Sequence, residues 1–166
     1  MPDNSQLTSY CGLYCKDCIP SKSELYTAVA HLQRLLEELQ FTKYAELKAG
    51  QTYWAEANSA FTHYPEFLAV LQAIKGLECP SICREGGGYK GDRCEIKKCA
   101  IAKGFDGCWQ CGGYQSCTLL EPLKSFHPHL EEHLALIKSE GIDNWSKKRR
   151  GHYAWLTEKD VLADGG

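Results

Sequence analysis

Between Cys94 and Cys117 the chain reads Cys94-Glu-Ile-Lys-Lys-Cys99-Ala-Ile-Ala-Lys-Gly-Phe-Asp-Gly-Cys108-Trp-Gln-Cys111-Gly-Gly-Tyr-Gln-Ser-Cys117. Five cysteines in so short a stretch, with glycines beside several of them, exceed what core packing needs. That density means disulfides, a structural metal, an iron–sulfur cluster or redox thiols. A second group, Cys11-Gly-Leu-Tyr-Cys15-Lys-Asp-Cys18, lies near the start, and Cys79-Pro-Ser-Ile-Cys83 completes the ten.

The redox compartment narrows the choice. The opening Met-Pro-Asp-Asn-Ser-Gln is polar and has no apolar h-region, so no secretory signal is read. No apolar run approaches the roughly 20 residues that cross a bilayer. The expectation is a soluble cytoplasmic chain with no membrane association, where thiols stay reduced and disulfides are uncommon. At 166 residues the chain fits one domain, 1–166. Its net charge of −2 lacks the basic excess of a nucleic-acid binder, which leaves an unidentified protein as the expected partner.

Four stretches organise that domain: a first cysteine group at 11–20, a helical insert at 21–76, a second cysteine group at 79–117, and C-terminal helices at 128–160. In the insert, Leu25, Val29, Leu32, Leu36 and Leu39 recur at spacings of four and three, which predicts an amphipathic helix of about 17 residues capped by Ser21 or Ser23. Shorter helices follow over Tyr44 to Lys48, over 52–62, and from Pro65 to a stop at Gly76. Further on, a helix from Glu95 to Gly104 places Ile96, Cys99, Ala100 and Lys103 on one face. Cys94 would lie about 140° from Cys99 on that helix, so for both to bind one ion Cys94 must sit ahead of it. Pro128 to Ser139 reads as a helix with Leu130, Leu134 and Ile137 inward and Gly141 as its cap. Residues 142–166 read as a further helix with an extended tail. Strand signals are weak; one short β-hairpin around Cys108–Cys111 is the exception. The fold class is therefore mainly α: a small single-domain helical fold with an irregular cysteine- and glycine-rich metal-binding centre.

Zinc takes tetrahedral thiolate or imidazole ligands, often delivered as Cys-x2–4-Cys pairs, and Cys15/Cys18, Cys79/Cys83 and Cys108/Cys111 have that spacing. Ten thiols supply two four-ligand sites with two left over. The expected ligands are Cys11, Cys15, Cys18, Cys94, Cys99, Cys108, Cys111 and Cys117. Cys79 or Cys83 is the first candidate for a simple buried hydrophobe. An iron–sulfur cluster is the alternative cofactor, because thiolates alone do not separate iron from zinc. The Cys11-x3-Cys15-x2-Cys18 spacing also matches radical S-adenosylmethionine enzymes, but those need an α/β barrel that this short helical chain lacks. Cys15-Lys-Asp-Cys18 and Cys108-Trp-Gln-Cys111 have the redox Cys-x-x-Cys form without the βαβ context that such motifs need. Arg84, Lys90, Arg93, Lys97, Lys98 and Lys103 either offset thiolate charge or form a solvated face.

Other motifs are weaker. His129-Leu-Glu-Glu132-His133 has the His-x-x-Glu-His form of a catalytic zinc site, with a solvated helix face as the plainer reading. Lys147-Lys-Arg-Arg150 beside Tyr153 and Trp155 has the form of a nucleic-acid contact, with the same plainer reading. The Gly86–Gly88 triplet lacks the Lys-Ser/Thr of a phosphate loop and reads as an ordinary loop.

Taken together, Cys11-Gly-Leu-Tyr-Cys15-x-x-Cys18 and Cys94-x-Ile-x-Lys98-Cys99-Ala100-x-x-Lys103-Gly104-x-x-x-Cys108-x-x-Cys111-x-x-Tyr114-x-x-Cys117 resemble a family of cysteine-rich prokaryotic proteins, domain of unknown function 3795. The resemblance covers both cysteine regions in their order. It departs at Gly91, where many members carry a further cysteine, and at Ser116, where a proline is usual. It implies a compact cysteine-rich domain that binds metal, and no particular reaction. The functional expectation is a zinc protein whose metal is mainly structural and which engages a partner; an iron–sulfur or thiol-redox accessory enzyme is the alternative.

Overall fold

The computed structural model describes residues 3–88 and 91–156. The helices are α1 (Asn4–Leu7), α2 (Ser23–Glu38), α3 (Phe41–Ala49), α4 (Ala55–Asn58), α5 (Tyr64–Lys75), α6 (Glu95–Ala102), α7 (Glu121–Lys124) and α8 (Leu130–Glu140), with short 3-10 turns among them. Among the described residues there is no strand, only an isolated antiparallel bridge between Thr8 and Tyr14. The mainly α expectation holds. The hairpin does not form: Cys108–Gln110 is a 3-10 turn in which the Cys111 N–H closes back onto the Cys108 carbonyl. Its two flanks do not pair with one another among the described residues.

The chain divides into two compact units, one made of Met1–Ser21 with Cys79–Gly166 and the other of Lys22–Glu78. In the second, α2 starts at Ser23 as its pattern predicts, but Lys22 stands at the N-cap and no side chain caps the helix. Tyr26 and Val29 are the residues of α2 that are buried. Gln40 takes a left-handed φ of 50° between α2 and α3. Pro65 occupies the first turn of α5, where its missing N–H costs nothing, and Gly76 stands at its end. Phe41, Tyr44, Phe61, Tyr64 and Phe67 form the aromatic centre of this unit.

The first unit has the larger core: Leu7, Tyr14, Trp109, Leu120, Leu130, Leu134, Ile137 and Trp145. Leu130, Leu134 and Ile137 are the inward stripe of α8, as their spacing predicts, and each fully buried side chain of this kind contributes roughly 1.5–3 kcal/mol. Trp145 has no exposed surface and its Nε1 donates to Thr8 Oγ1 at 2.8 Å. The opening residues, which read as a polar lead-in, are therefore structural: Asp3 and Gln6 form a capping box for α1, and Leu7 and Thr8 enter the core. The second helix expected within 142–166 is only a 3-10 turn, Trp145–Lys148, with irregular chain after it as far as Leu156. The tail expected over 157–166 lies outside the described residues. Among the described residues no helix is long and apolar enough to cross a membrane.

Candidate metal centre

All ten cysteines belong to the first unit, all are free thiols, and all are half-buried. They gather in two neighbourhoods that meet where Cys11 lies near Cys108.

Cys99, Cys108, Cys111 and Cys117 line one cavity of about 40 Å³. A helix delivers Cys99, and two 3-10 turns deliver the other three. Cys99 lies on α6, which Cys94 precedes as N-cap, so Cys94 does sit ahead of the helix. Ile96, Cys99, Ala100 and Lys103 all face this cavity, as the helical spacing requires. Cys108 opens a 3-10 turn and Cys111 closes it at 3.0 Å from the Cys111 N–H to the Cys108 carbonyl. Cys117 closes the next turn, Tyr114–Ser116, in the same way. Gly107 makes the approach possible: a Cβ there would lie 2.0 Å from the Trp109 ring, which folds back beneath it and is buried. The Cys108 N–H donates to the Tyr10 carbonyl at 2.7 Å and joins this loop to the first cysteine group. Phe105, Leu119 and Leu120 complete an apolar wall.

Burial pushes the Cys108 thiol up to about 12, with Cys11, Cys117, Cys99 and Cys111 adding like-charge repulsion to its thiolate. As neutral thiols nothing draws these sulfurs to one point, and among the described residues no three His, Cys, Asp or Glu side chains stand as a group that could hold an ion. The donor set itself fits a thiophilic metal: four thiols on one small apolar-walled cavity, where a cation reverses the cost of forming thiolate.

The other neighbourhood contains Cys11, Cys15, Cys18, Cys79, Cys83 and Cys94. Burial raises Cys11 to about 12 and Cys15 to about 11, and it raises Cys18 and Cys83 too. Cys83 and Cys94 are charge neighbours of Cys11; Cys83, Cys18 and Cys79 are those of Cys15. Cys79 and Cys83 thus lie near Cys15, although the sequence reading left them out of the expected ligand set. Tyr153 Oη donates to Cys18 Sγ at 3.7 Å and accepts from the Ile19 N–H at 3.0 Å, a contact with no local sequence signal. Asp17, between Cys15 and Cys18, forms a two-point ion pair with Arg149 at 2.5 and 2.7 Å, and Arg149 lies over the Tyr14 ring.

The remaining motifs find internal roles. His133 is in the core, its Nε2 accepting from the Arg150 N–H at 3.1 Å, rather than on a solvated face. His129 pairs with Glu132 at 3.3 Å. Of the basic run, Lys148 pairs with Glu140, Arg149 with Asp17 and Arg150 with Glu132. Arg84 donates to the carbonyls of Thr8 and Asp106 and covers the Tyr10 ring, so it clamps backbone. Both Cys-x-x-Cys motifs are 3-10 turns, and neither follows a strand to open a helix.

The sequence model of the family described as "Protein of unknown function (DUF3795)" matches residues 7–122. No curated protein and no solved structure matches the chain.

Proposed function

We propose, for a chain that belongs to the family described as "Protein of unknown function (DUF3795)", a thiolate metal-binding role in which the metal is mainly structural. Zinc is the expected ion. The observation that carries this reading is the set of four thiols, Cys99, Cys108, Cys111 and Cys117, on one small cavity. Zinc bound there would supply folding free energy, because it would tie α6 to two separate turns through its ligands. Cys11, Cys15, Cys18 and Cys94 complete the expected ligand set in the other neighbourhood. Reduced thiols of this number suit the cytoplasm. No reaction is assigned to the centre. Leu39, Leu47, Tyr53 and Trp54 of the second unit, each more than two-thirds exposed within the described chain, supply the apolar surface that this reading gives to a protein partner.

An iron–sulfur cluster is the second reading. Thiolates alone do not separate iron from zinc, and the same four thiols would serve as its ligands.

Anaerobic purification followed by elemental analysis and an absorption spectrum tests both. Zinc with no visible band supports the first reading. A brown protein holding iron and sulfide overturns zinc in favour of the cluster. A metal-free protein whose thiols all titrate in the native state overturns both.

A further inference from the structure

We propose that the protein forms a dimer in which α2 of one chain packs antiparallel along α2 of a second copy. Of the residues that the proposed function gives to a protein partner, only Leu39 belongs to this surface, and the dimer needs no metal.

The helix has an inward side and an exposed apolar seam. Tyr26, Val29, Gln33 and Leu36 are turned into the unit, and every other residue of α2 is exposed. Three of those exposed residues are leucines, Leu25, Leu32 and Leu35, and a fourth, Leu39, follows at the C-cap with helical dihedrals. They are 40, 38, 37 and 69% exposed. With Ala28 they occupy 25, 28, 32, 35 and 39, in alternating steps of three and four. That is the spacing of a coiled-coil seam, by which one helix packs along another. The inward side already holds α2 on its own unit, so a second stripe with this period fits a further helix. The seam also runs into wider apolar surface. Leu32 and Leu36 line an open groove of about 470 Å³ with Phe41, Phe61, Tyr64 and Phe67. Apolar surface of that extent marks an interaction site.

The charges beside the seam select the occupant. His31, Arg34 and Glu38 lie on the flank turned away from the unit, and Arg34 donates to His31 Nδ1 at 3.1 Å and to Glu38 at 2.6 Å. A guanidinium only donates, so His31 Nδ1 accepts and its Nε2 carries a proton to give. About a two-fold axis every contact is reciprocal. With the helices antiparallel, Leu32 meets Leu35 of the second copy and Ala28 meets its Leu39. That register brings His31 alongside Glu38 of the second copy, twice over. A parallel pair would instead set His31 against Leu36, which is turned into its own unit. The seam is thus its own complement, in shape and in charge, when the two helices run in opposite directions.

The test weighs the full-length chain by sedimentation equilibrium from about 1 μM to about 1 mM, with reductant present so that no disulfide joins two copies. The expected species is a dimer. Leu35→Glu, a change at an exposed position, should give a monomer with an unaltered far-ultraviolet circular dichroism spectrum. Leu47→Glu, on α3 and off the seam, should leave the dimer intact. His31→Glu sets like charges together and should raise the dimer Kd about tenfold, and adding Glu38→His should restore it. A wild type that stays monomeric overturns the proposal, whether or not a helix of another protein binds the seam. So does a dimer that survives Leu35→Glu, or one that Leu47→Glu dissociates equally. Should Leu35→Glu unfold, the exchange of His31 and Glu38 decides alone, because it touches no apolar residue. Failure of Glu38→His to restore the dimer overturns the antiparallel arrangement.

Discussion

The backbone N–H of Cys79 donates to the carbonyl of Pro20 at 2.8 Å, although the whole of Lys22–Glu78 separates them in sequence. The first unit is thereby closed on itself at the two points where the chain leaves it and returns. Its two cysteine groups become neighbours through backbone contact, before any metal is considered.

Because those two points touch, a short Gly-Ser linker in place of Lys22–Glu78 should leave the first unit folded. Closing a loop of a few residues costs no more entropy than closing the native one. Zinc content per chain and the near-ultraviolet circular dichroism of buried Trp109 and Trp145 should match the full-length protein. A molten or metal-free product would show that the first unit depends on the second.

Cys108→Ser should abolish binding at the Cys99–Cys117 centre and destabilise the protein by several kcal/mol, since metal free energy is folding free energy. Thermal melts of wild type and variant should converge once a chelator strips both. An unchanged melting point in the metal-loaded proteins would remove Cys108 from the ligand set.

Gly87→Ala forces a methyl to within 1.7 Å of the Ser81 carbonyl oxygen, and backbone on both sides must move. The expected cost is about 1–3 kcal/mol, read by urea denaturation. Gly113→Ala is the control: φ is −111° and a Cβ there meets nothing within 4 Å, so stability should hold or rise by about 0.4–1 kcal/mol. Equal behaviour of the two variants would contradict the close packing at Gly87.

Asp17 and Arg149 side chains are 8% and 10% exposed, so their pair is nearly out of water. Asp17→Asn removes the carboxylate of a nearly buried ion pair and should cost about 3–5 kcal/mol. A double-mutant cycle with Arg149→Met should recover much of that loss. Strictly additive effects would mean that the two residues act separately.

Burial, helped by nearby His129, lowers the His133 pKa to about 4, below its ordinary value near 6.5. Between those values the unfolded chain binds the proton and the folded chain does not. Stability therefore rises with pH across that window and is lost as pH falls from about 6.5 to about 4, by up to about 3 kcal/mol. His127, lowered by burial as well, acts in the same sense. His133→Gln should flatten this part of the stability–pH curve relative to wild type. Parallel curves would show that His133 does not titrate differently on folding.

Periodicity made the helices legible. The four-and-three spacing of Leu25, Val29 and Leu32 located α2, Leu130, Leu134 and Ile137 located the buried stripe of α8, and the angle between Cys94 and Cys99 put Cys94 ahead of α6. The short turns were harder. Cys108–Cys111 read as a hairpin because a single turn and a tight hairpin share their glycine and cysteine composition. What distinguishes them is the flanking chain, which among the described residues does not pair across this turn. The opening residues read as a lead-in because one leucine and one threonine carry no period, yet Thr8 accepts the Trp145 indole proton.

The sequence by itself determined that this protein is helical, cysteine-dense and organised around Cys94–Cys117, because local spacing is written in the order of residues. Tertiary structure alone decided which thiols are neighbours. Cys79 comes to the first cysteine group through its N–H on the Pro20 carbonyl. That is a contact between backbone groups, which nearly every residue carries alike, and side-chain spacing holds no record of which carbonyl a given N–H will meet.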